Sequence, residues 1–99
     1  MAKARLLVEL DVKADSIEEF VAMFREEFMT RSRSEQGCEQ YELWRDSTSA
    51  TKMTIVEVWS SQADLDTHLA QDWFSIWGPK LEAMQATPLV VRALSSIED

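Results

Sequence analysis

The sequence predicts an α+β domain of β-α-β-β-α-β order, the ferredoxin-like arrangement in which helices cover one face of a four-stranded antiparallel sheet. Three observations lead there. Short segments near both ends and in the middle of the chain read as strands, the first with clear period-two alternation. Two longer segments between them carry apolar residues at helical spacing. The third strand is apolar on both faces, so a second subunit is expected over the face that the helices leave bare.

Ala4 to Val12 place Leu6, Val8, Leu10 and Val12 on one face and Arg5, Leu7, Glu9 and Asp11 on the other, which makes the first strand. Ser16 and Glu19 have capping-box spacing, and Ile17, Phe20, Val21, Phe24 and Phe28 then follow on one helical face. This helix is expected to run to about Arg33 and to stop before Gly37. Cys38 to Arg45 and Thr51 to Trp59 read as the second and third strands, with Asp46-Ser47-Thr48-Ser49-Ala50 as the hairpin loop. In the third strand Thr54, Val56 and Val58 point one way, and Met53, Ile55, Glu57 and Trp59 the other. Ser61 to Asp64 open a second helix with Leu65, His68 and Leu69 on one side. Gly78-Pro79 is expected to interrupt it, with Pro79 starting another turn through about Gln85. Thr87-Pro88 ends that turn, and Leu89 to Leu94 form the last strand. The 99 residues make one domain, 1–99, without repeat or linker.

Eighteen acidic residues against ten basic ones give a net charge of −8, which disfavours nucleic acid and anionic membranes as partners. Cys38 is alone, so no internal disulfide can form, and no apolar run approaches a membrane span; the cytoplasm is the expected location. Two glycines cannot supply a dinucleotide-binding turn or a phosphate loop. One His and one Cys, 30 positions apart, do not make a zinc or iron–sulfur site of the usual kinds. No cofactor is therefore expected, and an enzyme built this way relies on the reactivity of its substrate.

His68 is the only imidazole, on the inward side of its helix, where it could accept a proton near neutral pH or simply hydrogen-bond to backbone or water. Trp44, Trp59, Trp73 and Trp77 form a rich indole set that suits either a pocket for a flat ring or the core and dimer interface. Glu57 lies on a strand face that should be buried; a structural ion pair across the dimer, with Arg45 or Arg92, is the expectation, and acid–base work the alternative. Tyr41 either offers its hydroxyl to a substrate or packs its ring, and Cys38 reads as a small core residue.

Two segments carry a resemblance. Ser34-Glu35-Gln36-Gly37-Cys38-Glu39-Gln40-Tyr41-Glu42-Leu43 has the form S-x-x-G-C-x-x-Y-x-L. Glu57-Val58-Trp59-Ser60-Ser61 has the form E-x-W-x-S and precedes Leu65-Asp66-Thr67-His68-Leu69, an L-x-x-H-L helix. Together they resemble the antibiotic biosynthesis monooxygenase family over nearly the whole chain. The resemblance implies a homodimer in which two sheets meet as an α+β barrel, with a pocket between sheet and helices in each subunit. It implies one of three chemistries: cofactor-independent oxidation of quinols and aromatic polyketides, haem degradation, or isomerisation of a sugar phosphate. It also matches His68 to a family position and makes Trp59 the foremost pocket candidate. This chain departs from the family in having no asparagine, in placing Gly78 where haem-degrading members carry their ligating histidine, and in placing Trp73 where many relatives carry a second histidine.

The function expected is oxidation of a quinol, phenol or enol by O₂ with no bound cofactor. His68 is the expected proton acceptor, and Trp59, Tyr41, Trp73 and Trp77 are the expected substrate contacts. A dimeric binding protein for a small apolar ligand and an isomerase of the same fold are the alternatives.

Overall fold

Period-two alternation turns one face of the first strand against the helices, and the computed structural model, which describes residues 2–99, has the expected order. Strands β1 (Ala4–Asp11), β2 (Cys38–Arg45), β3 (Lys52–Trp59) and β4 (Val90–Leu94) form one sheet in the order β2-β3-β1-β4, antiparallel throughout. Its helices are α1 (Ile17–Met23), continuing through a π-helical segment (Phe24–Met29) into α2 (Thr30–Arg33), then α3 (Gln62–Leu69) and α4 (Asp72–Ala83). This is the ferredoxin-like α+β fold. Among the described residues no helix is long and apolar enough to cross a membrane.

Register decides which side chains share the interior. Leu6 pairs with Glu57, Val8 with Ile55 and Leu10 with Met53, while Tyr41 lies opposite Glu57 on the other side of β3. A bulge at the start of β2 sets Cys38 opposite Trp59 and Gln40 opposite Val58, leaving Glu39 as the extra residue. The bulge lets Cys38 and Tyr41, three positions apart, both face inward, where strict alternation would send one of them out.

The first helix carries the main contact with the sheet, and its sequence explains its irregular winding. Phe20, Phe24, Phe28 and Ser32, each four residues after the last, are all buried to within one per cent. In a regular α-helix residues four apart drift by about 40° around the axis, so this ridge would spread over about 120°. The wider π turns, bonded between residues five apart, hold more than four residues each, so a four-residue step there drifts the other way and brings the ridge back onto one face. Thr30 closes that segment by donating both its N–H and its hydroxyl to the Arg25 carbonyl, the latter at 3.0 Å. Phe24 then stacks on Phe20 at 5.9 Å, on Phe28 at 5.3 Å and on Tyr41 at 5.6 Å between ring centroids.

Three local expectations are corrected. Ser16 makes no capping bond; its hydroxyl donates to Asp15 instead, so no capping box forms. Gly78-Pro79 does not interrupt the second helical region: α4 runs through it as one helix of 12 residues. Proline normally forces its predecessor out of helical geometry by a clash with that residue's backbone N–H and Cβ; Gly78 has no Cβ and lessens the conflict. Leu69 is half exposed at the end of α3, so Leu65 and His68 carry the packing of that helix. By contrast, Ser61 does cap α3, accepting from the Asp64 N–H at 3.1 Å.

Gly37 turns the chain from α2 into β2 with φ of +81°, and its carbonyl accepts from the Ser60 N–H at 2.8 Å. A Cβ there would stand 2.2 Å from an Asp64 carboxylate oxygen and 2.7 Å from the Asp64 Cβ, too near for rotation alone to relieve. Gly37→Ala is expected to lower unfolding stability by at least about 1–3 kcal/mol, from backbone strain alone. The check is urea denaturation, with a lower midpoint at unchanged slope.

Candidate active site

Between the sheet and the helices lies a cavity of about 240 Å³, walled by Leu6, Val8 and Ile55 from the sheet and by Phe28, Phe74 and Leu81 from the helices. Into this apolar lining the strands bring two ionisable residues, Tyr41 and Glu57, which face each other across β2 and β3; Glu82 joins them from the exposed side of α4.

Glu57 and Tyr41 are both buried. Trp59, two residues along the same strand face, donates its indole N–H to Glu57 Oε1 at 3.0 Å. The same oxygen is 3.9 Å from His68 Nε2, beyond hydrogen-bond reach, and Nε2 has no hydrogen-bond partner among the described residues. On the other side of the ring, His68 Nδ1 lies 2.6 Å from Glu35 Oε1, and Trp73 donates its indole N–H to Glu35 Oε2 at 2.9 Å. The imidazole is 1% exposed, tilted over Trp59 at 4.5 Å and edge-on to Phe74 at 5.4 Å and Tyr41 at 5.7 Å. Glu57, His68 and Glu35 thus form a row from the cavity wall through the buried imidazole to the turn before β2, with an indole N–H on each carboxylate.

Burial lifts the Glu57 carboxyl above the ordinary glutamate range; the Trp59 bond and the nearby His68 pull it down, and Glu35 pushes it up again. Burial, reinforced by the Glu57 charge, holds the Tyr41 hydroxyl well above the usual tyrosine value, so it stays protonated as a donor. The Cys38 thiol is likewise pushed up by burial and by the two glutamates, which keeps it from being a reactive thiolate.

His68 faces inward as expected, but Glu57 stands in the cavity wall and His68 lies behind it. The indoles do not line this cavity. Trp59 and Trp73 face carboxylates with their N–H groups. Trp77 lies in a different groove, with the Lys80 ammonium 4.3 Å over its ring, and Trp44 is exposed on the opposite sheet face. Within the chain Glu57 meets neither Arg45 nor Arg92, the arginines named for an ion pair across the dimer. Arg92 sits on the outer sheet face and bonds to Glu9 at 3.2 Å, and Arg45 lies opposite Met53 at the far end of β2. Sequence reasoning missed Glu35, Phe28 and Phe74 as parts of the site. Glu35 lies in a turn, where no periodicity marks a side chain as inward, and its only signal was its place two residues before Gly37.

Because the folded-state pKa of Glu57 is raised, folding favours its protonated form. That contribution is fully present below the ordinary glutamate value and is lost as pH rises through the raised value. Glu57→Gln, whose amide oxygen can still accept from Trp59, is expected to be more stable than wild type at neutral pH. Urea midpoints measured down to pH of about 4 should converge.

The family model for antibiotic biosynthesis monooxygenase matches residues 4–77. A Synechocystis sp. protein, sll1783, is 34% identical over 83 residues, which are 84% of this chain and 56% of that protein; the chain spans little more than half of its relative. Among solved structures, a conserved protein from Methanosarcina mazei Go1 superposes with a TM-score of 0.89 at 21% identity, covering 95% of this chain and 92% of that one. A Caulobacter crescentus CB15 protein that carries the same family name reaches 0.88 at 23% identity, covering 97% and 91%. These two likenesses establish the fold, and the match of the family model over three quarters of the sequence places the chain in the antibiotic biosynthesis monooxygenase family.

Proposed function

We propose that this protein is a monooxygenase that oxidises a quinol, phenol or enol with O₂ and needs no bound cofactor. One observation carries the reading: an apolar cavity of about 240 Å³ has in its wall a buried carboxyl, Glu57, beside a protonated tyrosine, Tyr41. The volume lies below the roughly 300–1,000 Å³ of pockets for drug-sized ligands, so it suits a substrate of one or two rings. Glu57 accepts the hydroxyl proton of the substrate, and the Tyr41 hydroxyl donates to a substrate oxygen. The resulting anion passes one electron to O₂. Recombination of the two radicals at a ring carbon forms a C–O bond, and the protonated peroxide loses water as the ring carbon loses its hydrogen, leaving a quinone. A phenol and O₂ thus become a quinone and one water. The protein supplies the base, the orientation and a dry site.

Oxygen uptake against a panel of quinols and phenols tests this reading. Glu57→Gln is expected to lower turnover about 10²–10⁴-fold, the scale for losing a general base. In the wild type, kcat/KM should rise with pH through the raised Glu57 value, at higher pH than an ordinary glutamate would give, because only the carboxylate accepts the proton. Tight binding of phenols with no oxygen consumption by any of them would instead establish a binding protein.

The active form in this proposal is a homodimer joined through the outer sheet face. Leu7, Val56 and Val58 occupy that face, and Trp44, Val90 and Leu94 are exposed beside them. Light scattering at micromolar concentration is expected to give about twice the chain mass. The double variant Val90→Glu, Leu94→Glu should fall to the mass of one chain without losing its fold, since both residues are already half exposed within the single chain.

A further inference from the structure

His68 is the sole histidine, and its two ring nitrogens meet different surroundings. Nδ1 lies 2.6 Å from Glu35 Oε1, whereas Nε2 is buried, without a hydrogen-bond partner among the described residues, and 3.9 Å from Glu57 Oε1. Glu35 has little freedom to turn away. Its second oxygen holds the Trp73 indole at 2.9 Å, and its backbone is bonded on both sides, its N–H to Ser32 at 3.1 Å and its carbonyl to the Cys38 N–H at 3.3 Å. An ionised carboxylate only accepts, so the nitrogen facing it must donate.

We propose that Glu35 is a positioning residue: it keeps the His68 proton on Nδ1 and leaves the Nε2 lone pair turned toward Glu57. The use of this arrangement rests on the oxygenase reading; the arrangement itself does not. In a turnover the substrate O–H bond breaks as a Glu57 O–H bond forms. A Glu57 side-chain shift of about 1 Å closes the gap to Nε2. The proton then passes to Nε2, the Glu57 O–H bond breaks, and Glu57 is again a base. The imidazolium stays paired with the Glu35 carboxylate through Nδ1–H. It later returns the Nε2 proton to the peroxide, whose O–O bond breaks as water forms. Glu35 touches no substrate and acts only through His68.

Glutamine at position 35 distinguishes this role from a merely structural one. An amide has one accepting oxygen and one donating NH₂, whereas Trp73 can only donate. In Glu35→Gln the amide oxygen must serve Trp73, so the NH₂ faces His68 and turns Nδ1 into an acceptor. In Glu35→Gln with Trp73→Phe the oxygen is free to return to Nδ1–H. With nitrogen-15 in the ring, long-range proton–nitrogen spectra of the whole chain report this one histidine without assignment. At mildly alkaline pH the wild type is expected to show Nδ1 protonated and Nε2 bare. Glu35→Gln should reverse the two and lower quinol turnover by about 10²-fold or more. The double variant should restore both the tautomer and most of the rate. A wild-type ring protonated on Nε2, or a tautomer indifferent to Glu35→Gln, would overturn the proposal. A wild-type chain inert toward every quinol sinks the oxygenase reading instead, while the nitrogen spectrum still decides whether Glu35 sets the tautomer.

Discussion

The stack of Phe20, Phe24 and Phe28, with Phe24 against Tyr41, holds the first helix to the sheet, and the positions of the interior polar groups follow from it. Four-residue spacing is too long for an α-helix to keep on one face, and the chain meets the mismatch by winding more widely from Phe24 to Met29. Rotation about the helix axis therefore differs at its two ends. The rotated end delivers Arg33, whose Nε donates to the Tyr41 carbonyl at 3.0 Å, and next the turn that carries Glu35. Gly37, in a conformation that side-chain-bearing residues rarely adopt, returns the chain into β2, and the Ser60 N–H ties that turn to the end of β3. Glu35 and His68 thus meet because a helix and a strand are docked by aromatic rings, not through any local motif.

The electrostatics of the interior depend on which donors the carboxylates meet. Arginine beside Glu57, the arrangement expected from the sequence, would hold it ionised and draw its pKa down. The indole of Trp59 is a neutral donor: it satisfies one oxygen without adding a positive charge, and burial is left as the dominant influence. A carboxyl in that position can take and release a proton where a salt-bridged one cannot. The same pairing recurs at Glu35, whose two oxygens meet an imidazole and an indole. Trp59 and Trp73 therefore meet the interior carboxylates through their N–H groups. This also accounts for why the cavity is walled by phenylalanine and aliphatic side chains.

Much of the fold could be read directly. Alternation marks β1, the two-faced apolar pattern marks β3, and the Ser61 cap marks the start of α3, because each reflects the environment of consecutive residues. Pro79 and Ser16 misled for a related reason: both carry average preferences, and the neighbouring Gly78 and Asp15 altered them locally. For the site, residue type alone singled out His68, Glu57 and Tyr41, since a lone imidazole, a carboxyl on an apolar strand face and a strand tyrosine each stand out. Their geometry was not legible. Glu35 is 33 positions from His68, and its approach to 2.6 Å sums the π-helical winding, the Gly37 turn and the docking of α3. By itself, then, the sequence determined which elements form and which faces they bury, since periodicity is a property of neighbouring residues. Only the tertiary structure decided which carboxylate meets the cavity, which meets the imidazole, and that indoles serve both, since distances between elements accumulate small rotations that no local pattern records.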